Sequence, residues 1–293
     1  REENLDKFSG YFVQVVEIAR EAKLVKMGTI AIDGSKVKAN ASKHKAMTYD
    51  RMQSEAKRLS DEIEKLTRAA EAQDKIDDAS FGPDFRGDEL PKEIQRRQDR
   101  LETIARGKKA LEERKAKEAK AKQEAAVAEP ASDAPAKEPA KQEEVKPEPK
   151  DQANFTDSES RIMRMPSKAF DQSYNTQVAV DDAHQIIVAN TVTQSANDHG
   201  QLLPVLNEVF ANTKLVPERV LADAGYKNEN DFAELAAMKI DAFIAVGREG
   251  KDEAAPKKEQ PLTASMRAKL KTKEGREHYR RRKHIVEPVF GWV

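Results

Sequence analysis

Three acidic residues stand where apolar or basic runs give way, positions at which a carboxylate could hold a cation. Asp33 closes the apolar run "TIAI" and is followed by Gly34; Asp223 closes "RVLA" two residues before Gly225; Glu287 follows the basic run "RRRKH". A carboxylate on a strand bound for a core is costly unless it is paired, neutralised or bound to a cation. Each acid alone has a simple explanation: Asp33 a turn residue, Asp223 a helix cap, Glu287 a partner for Lys283 one helical turn earlier. Taken together they support different chemistry. Parallel neighbouring strands carrying Asp33 and Asp223 would bring two repelling carboxylates to the ligand-binding ends of a sheet, and a divalent ion relieves that repulsion. With Glu287 as third acid, two ions can activate an attacking oxygen and stabilise a leaving one in an in-line phosphoryl displacement. Oxygen ligands, no cysteine and five histidines point to Mg2+ or Mn2+ rather than zinc.

The basic residues lie beside these acids. Lys36, Lys38, Lys43 and Lys45 follow Asp33, and Arg280, Arg281, Arg282 and Lys283 precede Glu287. Residues 265 to 284 hold nine Lys/Arg against two Glu, a net of +7, within a chain whose totals balance at 52 and 52. Such a local excess suits a polyanion, and backbone phosphates are the expected contacts. The absence of cysteine excludes disulfides, thiolate metal sites and cysteine nucleophiles. No apolar run approaches the ~20 residues of a membrane span, and "REENLDKFSG" has no signal-peptide character, so the expectation is a cytoplasmic protein.

The elements that must position these groups follow from periodicity. Phe8, Phe12, Val15, Val16 and Ala19 predict a helix up to Gly28, and a strand follows over 29 to 38. Met52, Ala56, Leu59, Ile63, Leu66 and Ala70 form a heptad seam, and Leu90, Ile94, Leu101, Ile104 and Leu111 form a second, so residues 46 to 114 read as a helical hairpin. Residues 115 to 152 carry five of the thirteen prolines among Lys, Glu and Ala, and read as a disordered linker. Beyond it, "YNTQVAVD" and "HQIIVANTVT" predict a strand hairpin turning at Asp181 and Asp182. A helix around Pro204, a strand ending at Asp223, a helix from Asn228 to Met238 and the strand "DAFIAV" come next. Asp198 and His199, just ahead of a helix, read as capping residues. The sum is a mixed α/β fold. Residues 1 to 45 and 153 to 293 form its core, interrupted after the first strand by the hairpin and linker.

The stretches "IAIDGSKVKANASKHK", "NFTDSESRIMRM", "YNTQVAVDDAHQIIVANTVTQSANDHGQL", "VLADAGYKN" and "HIVEPVFGW" resemble the DDE transposases of bacterial insertion sequences. The resemblance implies an RNase H-like catalytic core in which Asp33, Asp223 and Glu287 are catalytic and bind two Mg2+ or Mn2+ ions. It also implies DNA as partner, both element ends and target, with cleavage and strand transfer as the activity and a homodimer as a possible assembly. Relatives carry a tyrosine and basic residues near the glutamate, which implies DNA contacts for Tyr279 and for Arg282 or Lys283. Against such relatives the chain reads as lacking an N-terminal region and its extreme C-terminus. The competing expectation is a truncated, inactive remnant that only binds DNA or self-associates.

Overall fold

In the computed structural model the chain is described over residues 5–81, 92–128, 146–247 and 260–292. It divides into two compact units, one of residues 1–38, 163–169 and 173–293, the other of residues 39–162 and 170–172.

The first unit is built on a mixed sheet. Its core strands are β1 (Thr29–Lys38), β5 (Phe170–Asp181), β6 (Ile187–Thr193), β7 (Arg219–Ala222) and β8 (Asp241–Ile244), in the order β6-β5-β1-β7-β8. A short strand β4 (Arg161–Arg164) also pairs with β5. β1 runs antiparallel to β5 and parallel to β7, and β7 runs parallel to β8. This is the RNase H-like mixed α/β sheet that the resemblance implies.

The alternation of side chains along β1 and β7 sorts them between two cores. Ile30, Ile32, Val220 and Ala222 face a large cluster with Leu202, Val205, Leu206 and Val209 of α4 (Leu202–Thr213) and Phe232 and Leu235 of α5 (Glu229–Ala237). Ala31 and Leu221 face the other side, against Ile285 and Val286 of α7 (Lys273–Trp292). α6 (Pro261–Lys271) precedes α7; its first amides, Leu262 N–H and Thr263 N–H, donate to the Glu229 carboxylate at 2.7 and 2.9 Å.

One sequence expectation changes here, and one local backbone rule is overridden. The first helix, α1 (Leu5–Glu21), stops well before Gly28. The amides of Lys26 and Met27 instead donate to the buried Asp181 carboxylate at 3.2 and 2.9 Å, so Asp181 anchors the entry to β1 as well as sitting at the hairpin turn. The last helix runs through Pro288, although proline disfavours helical geometry at the preceding residue. Proline leaves the carbonyl of His284 without its helical donor, and the Gln185 side-chain amide, from the β5–β6 turn, donates to that oxygen at 2.8 Å. The substitute bond accounts for an unbroken helix across Glu287.

The second unit holds α2 (Tyr49–Phe81) and α3 (Lys92–Ala128), with β2 (Ala46–Thr48) paired antiparallel to β3 (Gln152–Asn154). The helices are antiparallel, since Tyr49 bonds to Glu112 and Glu62 to Arg97. Met52, Leu59, Ile104 and Leu111 of the two seams form their buried core. The expectation of a disordered linker over 115 to 152 is corrected at both ends. α3 continues to Ala128 because residues 115 to 128 are rich in the helix formers Ala, Lys, Glu and Gln, supported by the spaced pair Arg114–Glu118 and by Lys115–Asp151 at 2.9 Å. The far end, 152 to 154, is β3. Residues 129–145 of that stretch lie outside the described residues.

Candidate active site at the carboxyl ends of β1 and β7

The parallel ladder between β1 and β7 ends at the pair Ile32–Ala222. The next residue on each strand is an acid, Asp33 and Asp223. Strand register therefore places both acids just past the same end of the parallel ladder: Asp33 midway along β1, which runs on to Lys38 against β5, and Asp223 where β7 stops. Each is also held locally: Asp33 Oδ1 accepts from the Gly34 amide at 2.9 Å, and Asp223 Oδ1 accepts from the Gly225 amide at 2.8 Å. Asp223 thus does cap the short 3-10 turn Ala224–Tyr226, and it does so beside Asp33.

The positive charge between them comes from α7. Arg282 is 7% exposed, and its guanidinium donates to Asp33 Oδ2 at 2.8 Å. Burial pushes the Asp33 carboxyl above its ordinary proton affinity; Arg282 pulls it back, and the neighbouring Asp223 charge pushes it up again, leaving it raised. Burial works against the Arg282 charge, but Asp33, Tyr279 and Asp223 outweigh it and hold its proton more tightly than usual. Arg282 Nε is buried without a hydrogen-bond partner, and the guanidinium carbon lies 5.9 Å from the Tyr279 ring centre.

Glu287 is placed differently. It lies on α7 but is exposed, on a side of the helix away from the buried Arg282, Ile285 and Val286. The charges that move Asp33 most are Arg282 and Asp223. Among the described residues, no group of three or more His, Cys, Asp or Glu side chains is close enough to hold one metal ion. The donor set fits a divalent cation at the level of a pair: two hard carboxylates, side by side, one of them destabilised by its neighbour's charge.

The basic residues are dispersed. Lys36 Nζ donates to the carbonyl of Arg164 at 2.8 Å; Lys38, Arg280 and Lys283 are exposed; Arg281 is paired with Asp182. Lys43 and Lys45 are exposed on a 3-10 turn of the second unit.

A fourth acid enters this end of the sheet. Asp198 Oδ1 accepts from the amides of Asn175 at 2.9 Å and Gln177 at 2.7 Å, and Gln177 Oε1 accepts the hydroxyl of the buried Tyr226. Burial raises the Tyr226 phenol, and the charges of Asp198, Asp33 and Asp223 raise it further. The expected capping role for Asp198 does not hold, because α4 is capped at Gln201 without any side-chain bond. A signal for it was present in the sequence: Asn175 and Gln177 alternate with Val178 and Val180 on β5, and buried amides on a strand need a polar partner.

Residues 156–293 match the family described as Transposase DDE domain, a span that contains Asp198, Asp223 and Glu287 but not Asp33 or the helical hairpin. No curated protein and no solved structure matches the chain.

Proposed function

We propose, from the premise that residues 156–293 are a transposase DDE domain, that the chain cuts DNA at the ends of a mobile element and joins the freed ends to target DNA. The observation that carries this reading is the register of β1 and β7, which sets Asp33 beside Asp223. These two residues would hold Mg2+ or Mn2+, with Glu287 as the third acid of the set and two ions as the full complement. When bound, such ions activate the attacking oxygen and stabilise the leaving one.

The chain's own residues do the remaining work. In the first reaction a water oxygen bonds to phosphorus, the P–O3′ bond breaks, and the leaving oxygen takes a proton to become a 3′-hydroxyl. In the second, that hydroxyl oxygen bonds to a phosphorus of target DNA, the target's own P–O3′ bond breaks, and the leaving 3′ oxygen takes up the proton the hydroxyl gave up. Arg282 offsets the charge of Asp33 before the cation arrives, and the exposed Lys38, Lys43, Lys45, Arg280 and Lys283, together with Lys36, Tyr279 and Arg281, are each available to backbone phosphates. Loss of these phosphate contacts weakens binding uniformly across sequences and reduces its dependence on salt. A homodimer bridging two element ends is part of this reading.

The test is nicking of labelled element-end DNA in Mg2+ by the wild-type chain, Asp223→Asn and Glu287→Gln. Asp223→Asn should lose at least about 10²- to 10³-fold in rate, the scale of removing one transition-state-stabilising group. Glu287→Gln decides the third acid: a similar loss includes it, a wild-type rate removes it. A second reading, in which the chain binds DNA without cutting it, is favoured by the exposure of Glu287. Retained binding with no nicking by any of the three proteins would establish it.

A further inference from the structure

Asp198 reaches the two acids from an unexpected direction. Gln177 and Ala179 alternate with Val178 and Val180 on β5, and Ala179 belongs to the α4 core while Val178 and Val180 belong to the α7 core. Asp198, bonded to Gln177 and Asn175, therefore comes from the α4 side, whereas Asp33 meets Arg282 on the α7 side.

What lets it approach is the lack of a side chain at two positions. A Cβ on Gly34 would lie 2.5 Å from Asp198 Oδ1 and 2.7 Å from Gln177 Nε2, both closer than real contacts allow. A Cβ on Gly225 would lie 3.0 Å from Asp198 Oδ2 and 3.0 Å from Asp223 Oδ1, so those two oxygens are no more than twice that distance apart. Gly34 adjoins Asp33, and Gly225 supplies the amide that holds Asp223. The same carboxylate thus abuts the backbone that carries each of the paired acids. Its loop is tied in as well: the Asp198 carbonyl accepts from Gln201 N–H at 3.1 Å, and His199 Nδ1 lies 3.2 Å from the carbonyl of Lys227, just past the turn that Asp223 caps.

We propose that Asp198 is a positioning residue: wedged under Gly34 and Gly225 and braced by Asn175, Gln177 and Tyr226, it sets the separation of Asp33 and Asp223. The purpose of that separation, holding a divalent ion, rests on the function proposed above. Asp198 itself is not a ligand in this assignment, since it does not form a three-donor group with the other two. Its effect passes through backbone contacts.

Binding of Mn2+ to the full chain, followed by the paramagnetic resonance of the free ion and without DNA, tests this. Asp198→Ala should raise the Mn2+ dissociation constant by about 10- to 100-fold, the usual cost of losing a residue that orients ligands. Asp198→Asn should recover most of the loss, because an amide of the same shape still accepts from Asn175 and Gln177. Wild-type affinity in Asp198→Ala, with the fold intact by circular dichroism, overturns the proposal. So does an Asp198→Asn protein as weak as Asp198→Ala, which would mean that the charge itself acts on the ion. A metal-free experiment separates this from the parent reading. Gly34→Ala should lower Tm in the wild-type background and less in Asp198→Ala, because the nearest atom it meets, Asp198 Oδ1, is then gone and only Gln177 Nε2 still stands in its way. Strictly additive Tm losses overturn the wedge whether or not Mn2+ binds, whereas a wild-type chain that takes up no Mn2+ sinks the metal reading and leaves Asp198 to be judged by that cycle.

Discussion

The two units hold their polar side chains by opposite means. Along the hairpin's helices most ion pairs are local and wet, those of Arg97 with Glu62 and Lys115 with Asp151 aside: Arg58 reaches Glu55 and Glu62 within one turn of α2 while its side chain stays 56% exposed. At the ends of β1 and β7 they are long-range and dry. Arg282 and Asp33 are 249 residues apart in sequence, and their side chains are only 9% and 20% exposed. An exposed pair on a helix adds little, because solvent screens it and two long side chains lose freedom in making it. A desolvated pair must be matched, because either partner alone is a buried charge. The lesson is that charge density misleads in this chain. The hairpin carries many ions that decide almost nothing, and the sheet carries few that decide its local geometry.

Removing partners one at a time puts that contrast at risk. The largest effect should come from Arg282→Ala, toward the lower end of the about 3–5 kcal/mol that breaking a buried pair costs, because Asp33 keeps some solvent. This loss should depend on pH in a defined direction. The folded Asp33 carboxyl binds its proton more tightly than the unfolded one, so its contribution is favourable at low pH and is lost as pH rises through its raised folded value. Without Arg282 the proton is held tighter still, and the variant's urea midpoint should fall over a wider range of pH than that of the wild type. An intermediate effect, about 0.5–1 kcal/mol in the same urea experiment, is expected for Gln185→Ala, which leaves the His284 carbonyl without its donor. The smallest is expected for Arg58→Ala, whose midpoint should not differ measurably from wild type. A clear destabilisation there, or none in Arg282→Ala, would erase the distinction between the two units.

What could be read in advance divides along the same line. The seams of α2 and α3, apart from Leu90, which lies outside the described residues, the strand–turn–strand of β5 and β6 and the acids that follow the apolar runs of β1 and β7 are local patterns, and each appears in the structure. The features that surprised are set by partners far away. α1 ends early at a left-handed Lys23, where the Leu24 amide bonds back to the Ala19 carbonyl, and the stretch up to β1 is then held by Asp181, which takes the amides of Lys26 and Met27 across more than 150 positions of chain. The helix through Pro288 depends on Gln185, a residue in a turn near position 180. Asp198 looked like a cap because nothing in its immediate neighbourhood shows that Gly34 and Gln177 lie against it. Glu287 is on the final helix α7, but its place after the basic run does not reveal which side of that helix is exposed. Compositional bias hid the reach of α3, since alanine, lysine and glutamate serve a solvated helix as readily as a linker.

The position of β1 has a consequence for how the chain is made. Its partners, residues 173–181 and 219–222, leave the ribosome more than 130 residues after it. At roughly 5–20 residues per second, that delay is on the order of ten seconds. During this interval the helical hairpin, whose contacts are complete within a shorter span, can form first. β1 meanwhile waits with neither ladder closed, and an apolar "TIAI" edge then becomes a substrate for whatever holds nascent strands apart. The order of synthesis thus lets the helical hairpin fold before the sheet that β1 begins can be completed.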